Sequence, residues 1–229
     1  MRELDSIAIV GAGRLGTALA AALRDSSVLV EGPLGRGAAP RSEVVLLCVP
    51  DGEIAAAAGA IAAGPLVGHC SGATGLEPLA GHEAFALHPL MTVPAGAGPR
   101  VFAGAGCAID GATPRARQTA ALLAARLGMR ATRVAPEDRA AYHAAAAIAS
   151  NFLVTLRRAA GSLLDAAGAP PEALDPLMRR TIENGFELTG PIARGDWGTV
   201  DAHRAAIRRE RPGLEPMYAA LAGATQELL

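Results

Sequence analysis

A glycine-rich turn near the start of the chain constrains the fold more than any other feature. The apolar run Ser6–Val10 enters the sequence GAGRLG, and a helix-like segment, Arg14–Arg24, follows. In such a G-x-G-x-x-G turn the first glycine permits the tight bend, the second lets a diphosphate approach the backbone, and the third lets the helix pack on the strand. An ordinary glycine-rich turn is the alternative, because the chain has 27 glycines. The residues predicted to hold a dinucleotide here are Gly11, Ala12, Gly13, Arg14, Leu15 and Gly16.

The first part of the chain alternates short apolar runs with helix-like segments, a pattern typical of a doubly wound parallel sheet covered on both faces. Strands are predicted at Ser6–Val10, Val28–Glu31, Val44–Val49, Leu66–His69, Phe85–Leu87, Val101–Ile109 (as one or two strands) and Arg130–Val134. Helices are predicted at Arg14–Arg24, Gly52–Ala63, Leu76–Leu79 and Pro114–Leu127. The segment between Glu31 and Val44 is too rich in Gly and Pro for a full crossover helix.

Strand signals stop after residue 135, and long helical patterns follow. Helices are predicted from Pro136 to about Ala167 and at Glu172–Leu188, Trp197–Arg209 and Glu215–Leu228. We therefore expect a Rossmann-type α/β domain over residues 1–135 and an all-α domain over residues 136–229.

Composition excludes several classes of function. The 21 basic and 22 acidic residues leave a net charge of -1, and only 3% of residues are aromatic. This predicts neither a nucleic-acid surface nor an anionic-membrane surface. No apolar stretch is long enough for a transmembrane helix, and the residues before Ser6 do not resemble a secretory signal, so we expect a cytoplasmic protein.

The basic residues are all arginines. Without lysine, Schiff-base chemistry and lysine acid/base catalysis are excluded. Cys48, Cys70 and Cys107 are widely spaced in apolar runs and show no metal-ligand pattern, so we interpret them as reduced core residues and expect no metal site.

The end of the second strand predicts which dinucleotide binds. An acid about 20 residues beyond the glycine turn would hold the ribose 2′-hydroxyl of NAD, and Glu31 lies near that place. A Gly/Pro-rich loop follows, however, in which Arg36 could bind the 2′-phosphate of NADP. This favours NADP, with NAD possible. The alternative is that Arg36 is an ordinary solvated surface residue.

Polar loops follow the next strands, at the edge of the sheet where ligands bind. The predicted cofactor contacts in these loops are Val49, Pro50, Asp51, Ser71 and Gly72. Asp51 could instead cap the helix that follows it, and both roles are compatible.

Six segments, in order, carry a family resemblance: GAGRLGTALA, LLCVPD, HCSGATGLEPL, LHPLMT, AYHAAAAIASNF and LTGPIARGDWGTVDAH. They resemble the oxidoreductase-like family that joins a Rossmann-like N-terminal domain to a helical C-terminal domain of unknown function, DUF2520. That family is similar to the 6-phosphogluconate-dehydrogenase-like group, which includes pyrroline-5-carboxylate reductase, ketopantoate reductase and coenzyme-F420-dependent NADP reductases.

The resemblance implies NAD(P)-dependent reduction of a small carbonyl or imine compound, such as a ketopantoate-like or pyrroline-carboxylate-like acid. It also implies a homodimer joined through the helical domain. Two alternatives stay open: an NAD(P)-binding redox sensor without turnover, and an F420-linked NADP oxidoreductase. An enzyme should place His88 or His143 beside a cavity, whereas a sensor could fill that space with apolar side chains.

Relatives of this group use a lysine from the first helix of the second domain as proton donor, and this chain has none. His143, Ser150 and Asn151 are spaced seven and eight residues apart, which predicts one helix face. His143 could donate the proton while Ser150 and Asn151 orient the substrate, or all three could have structural roles. His88 is a rival donor. His69 is a weaker candidate, and His82 and His203 are weaker still.

A polar, glycine-containing loop interrupts the helical part. Thr189, Gly190 and Arg194 could bind a substrate carboxylate there. Alternatively, the loop is a plain connection in which Arg194 pairs with Asp196. Thr181 and Asn184, on the preceding helix, are further candidates.

Overall fold

The parallel sheet predicted from the alternating pattern is present in the computed structural model, which describes Leu4 and residues 6–229. The other residues before Ser6, on which the absence of a secretory signal was predicted, lie outside the described part. The seven strands are β1 (Ser6–Val10), β2 (Leu29–Leu34), β3 (Val44–Leu47), β4 (Leu66–His69), β5 (Glu83–Leu90), β6 (Gly106–Gly111) and β7 (Arg130–Arg133). Their order across the sheet is β2-β1-β3-β4-β5-β6-β7.

Two strands depart from the direction of the other five: β6 pairs antiparallel with β5, and β7 pairs parallel with β6, so both run opposite to β1–β5. The connection between β5 and β6 contains Pro94, Gly96, Gly98 and Pro99 and forms no helix. A parallel crossover usually needs a helix, so a connection without one lets the chain turn back beside β5. The predicted Val101–Ile109 strand region is correspondingly one strand, which begins only at Gly106.

Helices cover both faces of the sheet. They are α1 (Arg14–Asp25), α2 (Ile54–Gly59) and α3 (Pro114–Arg126). Alternate residues of β1 point to opposite faces: Ile7 and Ile9 join one buried cluster with α1 and α3, and Ala8 and Val10 join another with α2. This two-sided burial explains why the strand sequences are continuously apolar.

Several predicted boundaries were wrong. The Gly52–Ala63 helix is a 3₁₀ turn, Asp51–Glu53, followed by the short α2, which ends at Gly59. The predicted Leu76–Leu79 helix is a single 3₁₀ turn. The prediction that no crossover helix separates β2 from β3 is confirmed.

The long helix predicted from Pro136 is divided into pieces. It begins with a 3₁₀ turn and continues as α4 (Arg139–Ala147), a π-helical segment (Ile148–Phe152) and α5 (Leu153–Ala166). Three further helices follow: α6 (Leu174–Glu183), α7 (Trp197–Glu210) and α8 (Glu215–Gln226). The last turn predicted for the Glu172–Leu188 helix is absent, since α6 ends at Glu183.

The chain divides into two compact units, Met1–Ser150 and Asn151–Leu229. This division falls later than the boundary predicted at residue 135. The reason is that α4 is attached to the sheet: Arg139 forms a buried ion pair with Asp110 of β6 and donates to the carbonyl of Thr74.

Candidate functional site

The glycine turn between β1 and α1 is packed too closely for any other residue type at two positions. Gly11 has φ +113°, and a Cβ there would lie 2.3 Å from the carbonyl oxygen of Cys48. A Cβ on Gly16 would lie 2.0 Å from the carbonyl oxygen of Gly11. These contacts give the first and third glycines the roles predicted for them, a tight bend and close packing of helix on strand.

The second glycine of the turn faces open space. A Cβ on Gly13 would meet nothing within 4 Å. Gly13 is the N-cap of α1, with φ −72° and ψ −178°, and no side chain caps the helix. The backbone N–H groups of the first turn are therefore available to an anion, at the positive end of the helix dipole.

A cleft of about 570 Å³ opens beside this turn. One side consists of the glycine turn, and the opposite side of the loop from Gly35 to Ala38, which follows β2. The floor is apolar, formed by Val49, Pro50, Ala56, Ala57, Ala60 and Ile61. This combination suits a flat apolar ring system linked to an anionic group. We refer to it as the first cleft.

Arg36 and Glu53 are the charged residues that line the first cleft in the described part of the chain. The Nη2 atom of Arg36 lies 2.9 and 2.8 Å from the two carboxylate oxygens of Glu53. Arg36 is thus paired with Glu53, although its side chain is 85% exposed, so the alternative of a solvated surface residue stays open.

The acid predicted for the ribose of NAD has another role. Strand β2 continues to Leu34, so Glu31 lies within the strand rather than at its end. Its carboxylate accepts hydrogen bonds from the backbone N–H of Arg41 and from the hydroxyl of Ser42. The backbone hydrogen bond from Arg41 is the main cause that lowers the pKa of Glu31. Glu31 is hydrogen-bonded to the loop before β3 and does not line the first cleft. The prediction that it lies at the end of the second strand was therefore wrong.

A second cleft, of about 450 Å³, adjoins the first. Gly13, Cys48, Val49 and Pro50 line both. The second cleft continues along the same edge of the sheet to the end of β5. Its further lining residues are Arg14, Leu15, Asp51, Cys70, Ser71, His88, Pro89, Met91 and Val93.

Asp51 connects the loops that follow β3 and β4. Its Oδ2 atom accepts hydrogen bonds from the hydroxyls of Ser71 at 2.7 Å and Thr74 at 3.3 Å. The hydroxyl of Ser71 in turn accepts the backbone N–H of Thr74 at 2.9 Å. Asp51 does not cap a helix, because Pro50 is the N-cap of the 3₁₀ turn and makes no side-chain bond. The capping alternative was wrong; Asp51 and Ser71 do line the second cleft.

His88, the rival proton donor, lines the second cleft. It lies within β5, which continues to Leu90, rather than after the strand as predicted. Its Nδ1 atom is 3.0 Å from the hydroxyl of Tyr142 on α4. Burial is the main cause that lowers the pKa of His88 to about 4, and the neighbouring His143 adds to the shift. The imidazole of His88 is therefore neutral at pH 7.

His143 and Gly72 complete this cluster. The imidazole rings of His143 and His88 have centroids 6.3 Å apart. A Cβ on Gly72 would lie 2.8 Å from Nε2 of His88 and 3.0 Å from Cδ2 of His143, so glycine leaves the space that both rings occupy. His143 is exposed, which gives this cluster a contact with solvent.

The other histidines have structural partners. The backbone N–H of Ser71 donates to Nδ1 of buried His69, whose Nε2 is 2.7 Å from the carbonyl oxygen of Gly75. Burial lowers the pKa of His69. His82 contacts the carbonyl oxygen of Ala58, and His203 contacts the hydroxyl of Tyr218.

The predicted common face of His143, Ser150 and Asn151 is altered by the π-helical segment. A π-turn holds more residues than an α-turn, so it changes the direction of the side chains that follow. Ser150 donates its hydroxyl to the carbonyl oxygen of Ala146 at 2.7 Å, the structural role that was the alternative for it. Asn151 is exposed and belongs to the second unit.

The predicted substrate loop also belongs to the second unit. Thr189 and Arg194 are exposed, and Gly190 has φ +105°. Asp196 caps α7 by accepting the backbone N–H of Thr199 at 3.1 Å and its hydroxyl at 2.7 Å. The hydrogen-bond partner of Asp196 is therefore Thr199, rather than Arg194 as the alternative predicted. Thr181 donates to the carbonyl oxygen of Leu177, and Asn184 follows the end of α6.

Two of the three cysteines are buried core residues, Cys70 and Cys107. Cys48 is partly buried: it packs against the core and also lines both clefts, so the predicted core position holds for it only in part. All three are free thiols. No group of three His, Cys, Asp or Glu side chains with metal-binding geometry occurs in the described residues.

A comparison with family models identifies the family. The model of a domain of unknown function, DUF2520, matches residues 105–225. This chain belongs to the DUF2520 family. The resemblance carried by the six sequence segments is thus confirmed.

Solved structures share the fold of this DUF2520 protein at low sequence identity. A candidate NADP oxidoreductase, BF3122 of Bacteroides fragilis, has a TM-score of 0.80 at 20% identity, with 97% of this chain and 98% of that chain covered. Protein TM1727 of Thermotoga maritima gives 0.75 at 22% identity, with 96% and 97% covered. A reductive aminase of Aspergillus terreus, solved with NADPH and ethyl levulinate, gives 0.69 at 16% identity, with 98% and 93% covered.

These likenesses confirm the Rossmann-type fold with a helical C-terminal part. The comparison with curated proteins gave no match. Within the described residues, no helix combines the length and apolar character needed to cross a membrane.

Two residues of this DUF2520 protein that were not predicted from the sequence contribute to the clefts: Glu53 lines the first cleft, and Tyr142 contacts His88 of the second. Glu53 looked like part of an Ala-rich helix, and its contact with Arg36 bridges 17 positions of the chain. Tyr142 contacts His88, which lies 54 positions earlier in the chain. In the sequence, its place directly before the candidate proton donor His143 is the one feature that points to it.

Proposed function

We propose that this protein is an NADP-preferring oxidoreductase that reduces a small carbonyl or imine compound, with NAD as a possible second cofactor. The observation that supports it best is the continuity of the two clefts along the carboxyl edge of the sheet. Together the clefts run from Arg36 in the loop after β2, past the uncapped N-terminus of α1, to His88 in the last part of β5. Ligands of open α/β sheets bind at such an edge, beside the point where the strand order reverses.

The residues present fit a nicotinamide dinucleotide. The N–H groups at the start of α1 would hold its diphosphate, with open space at Gly13 for the close approach. The apolar floor of the first cleft would take the adenine, and Arg36 would bind the 2′-phosphate. The second cleft would take the nicotinamide, which supplies a hydride to the substrate.

His88 is the proposed contact to the substrate atom that gains a proton. Because its imidazole is neutral at pH 7, Nε2 would give its proton to the substrate atom as Nδ1 takes the hydroxyl proton of Tyr142, and Tyr142 would then regain a proton from solvent. Exposed His143, beside it, would connect this pair to solvent. An enzyme requires a polar group beside the cavity, and His88 is such a group. Its position favours an enzyme over a sensor that only binds NAD(P).

The remaining site predictions stay proposals. Val49, Pro50, Asp51, Ser71 and Gly72 are proposed cofactor contacts. Ser150, Asn151, Thr189, Gly190 and Arg194 are proposed to orient the substrate. Among substrates, ketopantoate-like and pyrroline-carboxylate-like acids are the first to screen, by following NADPH consumption with keto acids and cyclic imines.

The variant Gly13→Asp tests the proposal. Its φ suits any residue and its Cβ has room, so the fold should be retained, while the carboxylate would repel the diphosphate. We expect titration calorimetry to show at least about a hundredfold weaker binding of NADPH and NADH. Gly223→Asp, at an exposed glycine of α8 where a Cβ would likewise meet nothing within 4 Å, serves as the control. Unchanged affinity in Gly13→Asp would rule out the glycine turn as the diphosphate site.

A further inference from the structure

The ion pair at the mouth of the first cleft puts two opposite charges where the ribose end of a dinucleotide would lie. Arg36 belongs to the loop after β2, and Glu53 ends the 3₁₀ turn after β3. Both carboxylate oxygens of Glu53 lie within 2.9 Å of Nη2 of Arg36. The two side chains are 85% and 44% exposed, so water and a ligand can both reach them.

A 2′-phosphate would have to compete for this arginine. A phosphate that binds the Arg36 guanidinium takes donor groups that Glu53 now occupies. After the exchange, the carboxylate and the doubly negative phosphate would lie close together on one side of the cleft. Like charges at such distances repel even in water, so Glu53 opposes the phosphate both by occupying its partner and by its own charge.

The same carboxylate would favour a ribose that carries a free 2′-hydroxyl. A carboxylate accepts hydrogen bonds from hydroxyl groups, as the acid at the end of the second strand does in NAD sites. Glu31 does not line the first cleft, and Arg41 and Ser42 engage one oxygen of its carboxylate. Glu53 is the acidic side chain on the lining of the first cleft among the described residues.

We propose that Glu53 is a specificity-determining residue that competes with the 2′-phosphate for Arg36 and so reduces the preference for NADPH over NADH. The proposal rests on the proposed function, since it presumes that a nicotinamide dinucleotide binds in the first cleft. It assigns the choice of cofactor to an ion pair between two loops rather than to the end of β2 alone.

The isosteric variant Glu53→Gln tests this role by binding alone. We expect the dissociation constant of NADPH to fall about tenfold and that of NADH to rise about threefold, because the competing charge and the best hydroxyl acceptor are both lost. Adenosine 2′,5′-bisphosphate and adenosine 5′-monophosphate should follow the same pattern, which locates the effect at the 2′ position. Glu43→Gln, an exposed acid that does not line the first cleft, should change neither.

A second background separates competition for Arg36 from a general charge effect. In Arg36→Ala, NADPH should bind about tenfold or more weakly while NADH changes little, and adding Glu53→Gln should recover much less NADPH affinity than it does beside Arg36. Arg41→Ala, in the same loop but outside the first cleft, is the matched control. An equal gain in both backgrounds would overturn the competition.

The outcomes also distinguish this inference from the proposed function. If both dinucleotides bind and Glu53→Gln leaves the ratio of their dissociation constants unchanged, the role of Glu53 is refuted while the dinucleotide site stands. If no variant binds NADPH, NADH or the adenosine nucleotides, the proposed function fails and this inference fails with it.

Discussion

The lowered pKa of His88 makes the free energy of unfolding depend on pH. This pKa is lowered from 6.5 to about 4, chiefly by burial, so below pH 6.5 the unfolded chain binds a proton that the folded protein resists. The stabilising contribution of neutral His88 is therefore complete above about pH 6.5 and is lost as the pH falls towards 4. Between pH 7 and pH 5 we expect the protonation of His88 in the unfolded chain to lower the free energy of unfolding by about 2 kcal/mol.

Urea denaturation at the two pH values measures this loss. His88→Asn should lose less stability on acidification than the wild-type protein, because position 88 then carries no group that resists protonation, while buried His69 contributes equally to both proteins. His203→Asn alters an exposed histidine that also contacts a tyrosine, and should behave like the wild type. A pH dependence that is the same with and without His88 would contradict the burial effect.

The chain contains two similar His–Tyr pairs, and they lie at different cavities: His88 lines the second cleft beside the glycine turn, whereas His203 and Tyr218 line a separate cavity of about 400 Å³ in the second unit. In the first unit Tyr142 lies 3.0 Å from His88, and in the second unit Tyr218 lies 2.9 Å from His203. Both pairs have nearly perpendicular rings. The fold alone therefore does not give such a pair a catalytic role, and comparing the two isolates the effect of position.

We expect Tyr142→Phe to lower kcat about tenfold to a hundredfold once a substrate is found, because His88 loses the hydroxyl bonded to its Nδ1. The dissociation constant of NADPH should not change, since Tyr142 does not line either cleft. Tyr218→Phe should leave both quantities unchanged. Equal losses in the two variants, or weaker NADPH binding in Tyr142→Phe, would contradict a role in proton transfer.

At the level of secondary-structure elements, a buried ion pair helps to attach α4 to the sheet. Arg139 and Asp110 are 7% and 8% exposed in their side chains, and Nη2 of Arg139 is 3.2 Å from Oδ2 of Asp110. The Nε atom of Arg139 has no hydrogen-bond partner. Arg139 holds the helix that carries Tyr142 and His143, so this pair positions the histidine cluster.

Arg139→Ala should lower the free energy of unfolding by about 3–5 kcal/mol, because it leaves the Asp110 carboxylate buried without its counterion. The matched control is Arg115→Ala, which breaks the Arg115–Glu83 pair, whose side chains are 54% and 26% exposed. There we expect about 0–1 kcal/mol. Urea denaturation of both variants gives the comparison, and a smaller loss for Arg139→Ala than for Arg115→Ala would contradict the assignment.

What the sequence predicts about these elements depends on whether the signal is local. The bounds of β1 and β4 are as predicted, because each is a continuous apolar run between turn residues. The antiparallel direction of β6 and the π-helical segment Ile148–Phe152 were not predicted. Strand direction depends on the path of a connection, and a π-turn depends on packing, so neither leaves a periodic signal.

The same distinction between local signals and distant contacts applies to the residues of the candidate site. The positive φ of Gly11 and the close approach of Gly16 to the carbonyl oxygen of Gly11 are local to the turn, and the glycine pattern predicts them. The approach of Gly11 to the backbone of Cys48 is a distant contact that the pattern does not indicate. The contacts of Glu53 and Tyr142 join distant parts of the chain, so residue type and spacing did not indicate them. Glu31 was misplaced because strand ends are the least certain part of such a prediction.

At the level of the whole molecule, the second unit carries most of the exposed large apolar side chains. They include Phe152, Leu153, Val154, Leu156, Leu177, Ile182, Phe186, Leu188, Trp197 and Leu221. Soluble monomers seldom expose this much apolar surface, and helices of this kind commonly bury it against a second copy. We therefore propose a homodimer formed through the second unit.

Light scattering coupled to size-exclusion chromatography should give twice the mass of the 23.1 kDa chain. Val154→Glu and Leu177→Glu, on α5 and α6, place a charge on side chains that are 52% and 63% exposed, and each should shift the mass towards that of one chain. Leu29→Glu, in the first unit, alters a leucine that is 72% exposed and should leave the dimer intact. Because these residues are exposed in one chain, the substitutions should not unfold it, and circular dichroism checks this. A wild-type protein that elutes as a single chain at micromolar concentration would refute the dimer, and it would leave the apolar surface of the second unit to a different partner.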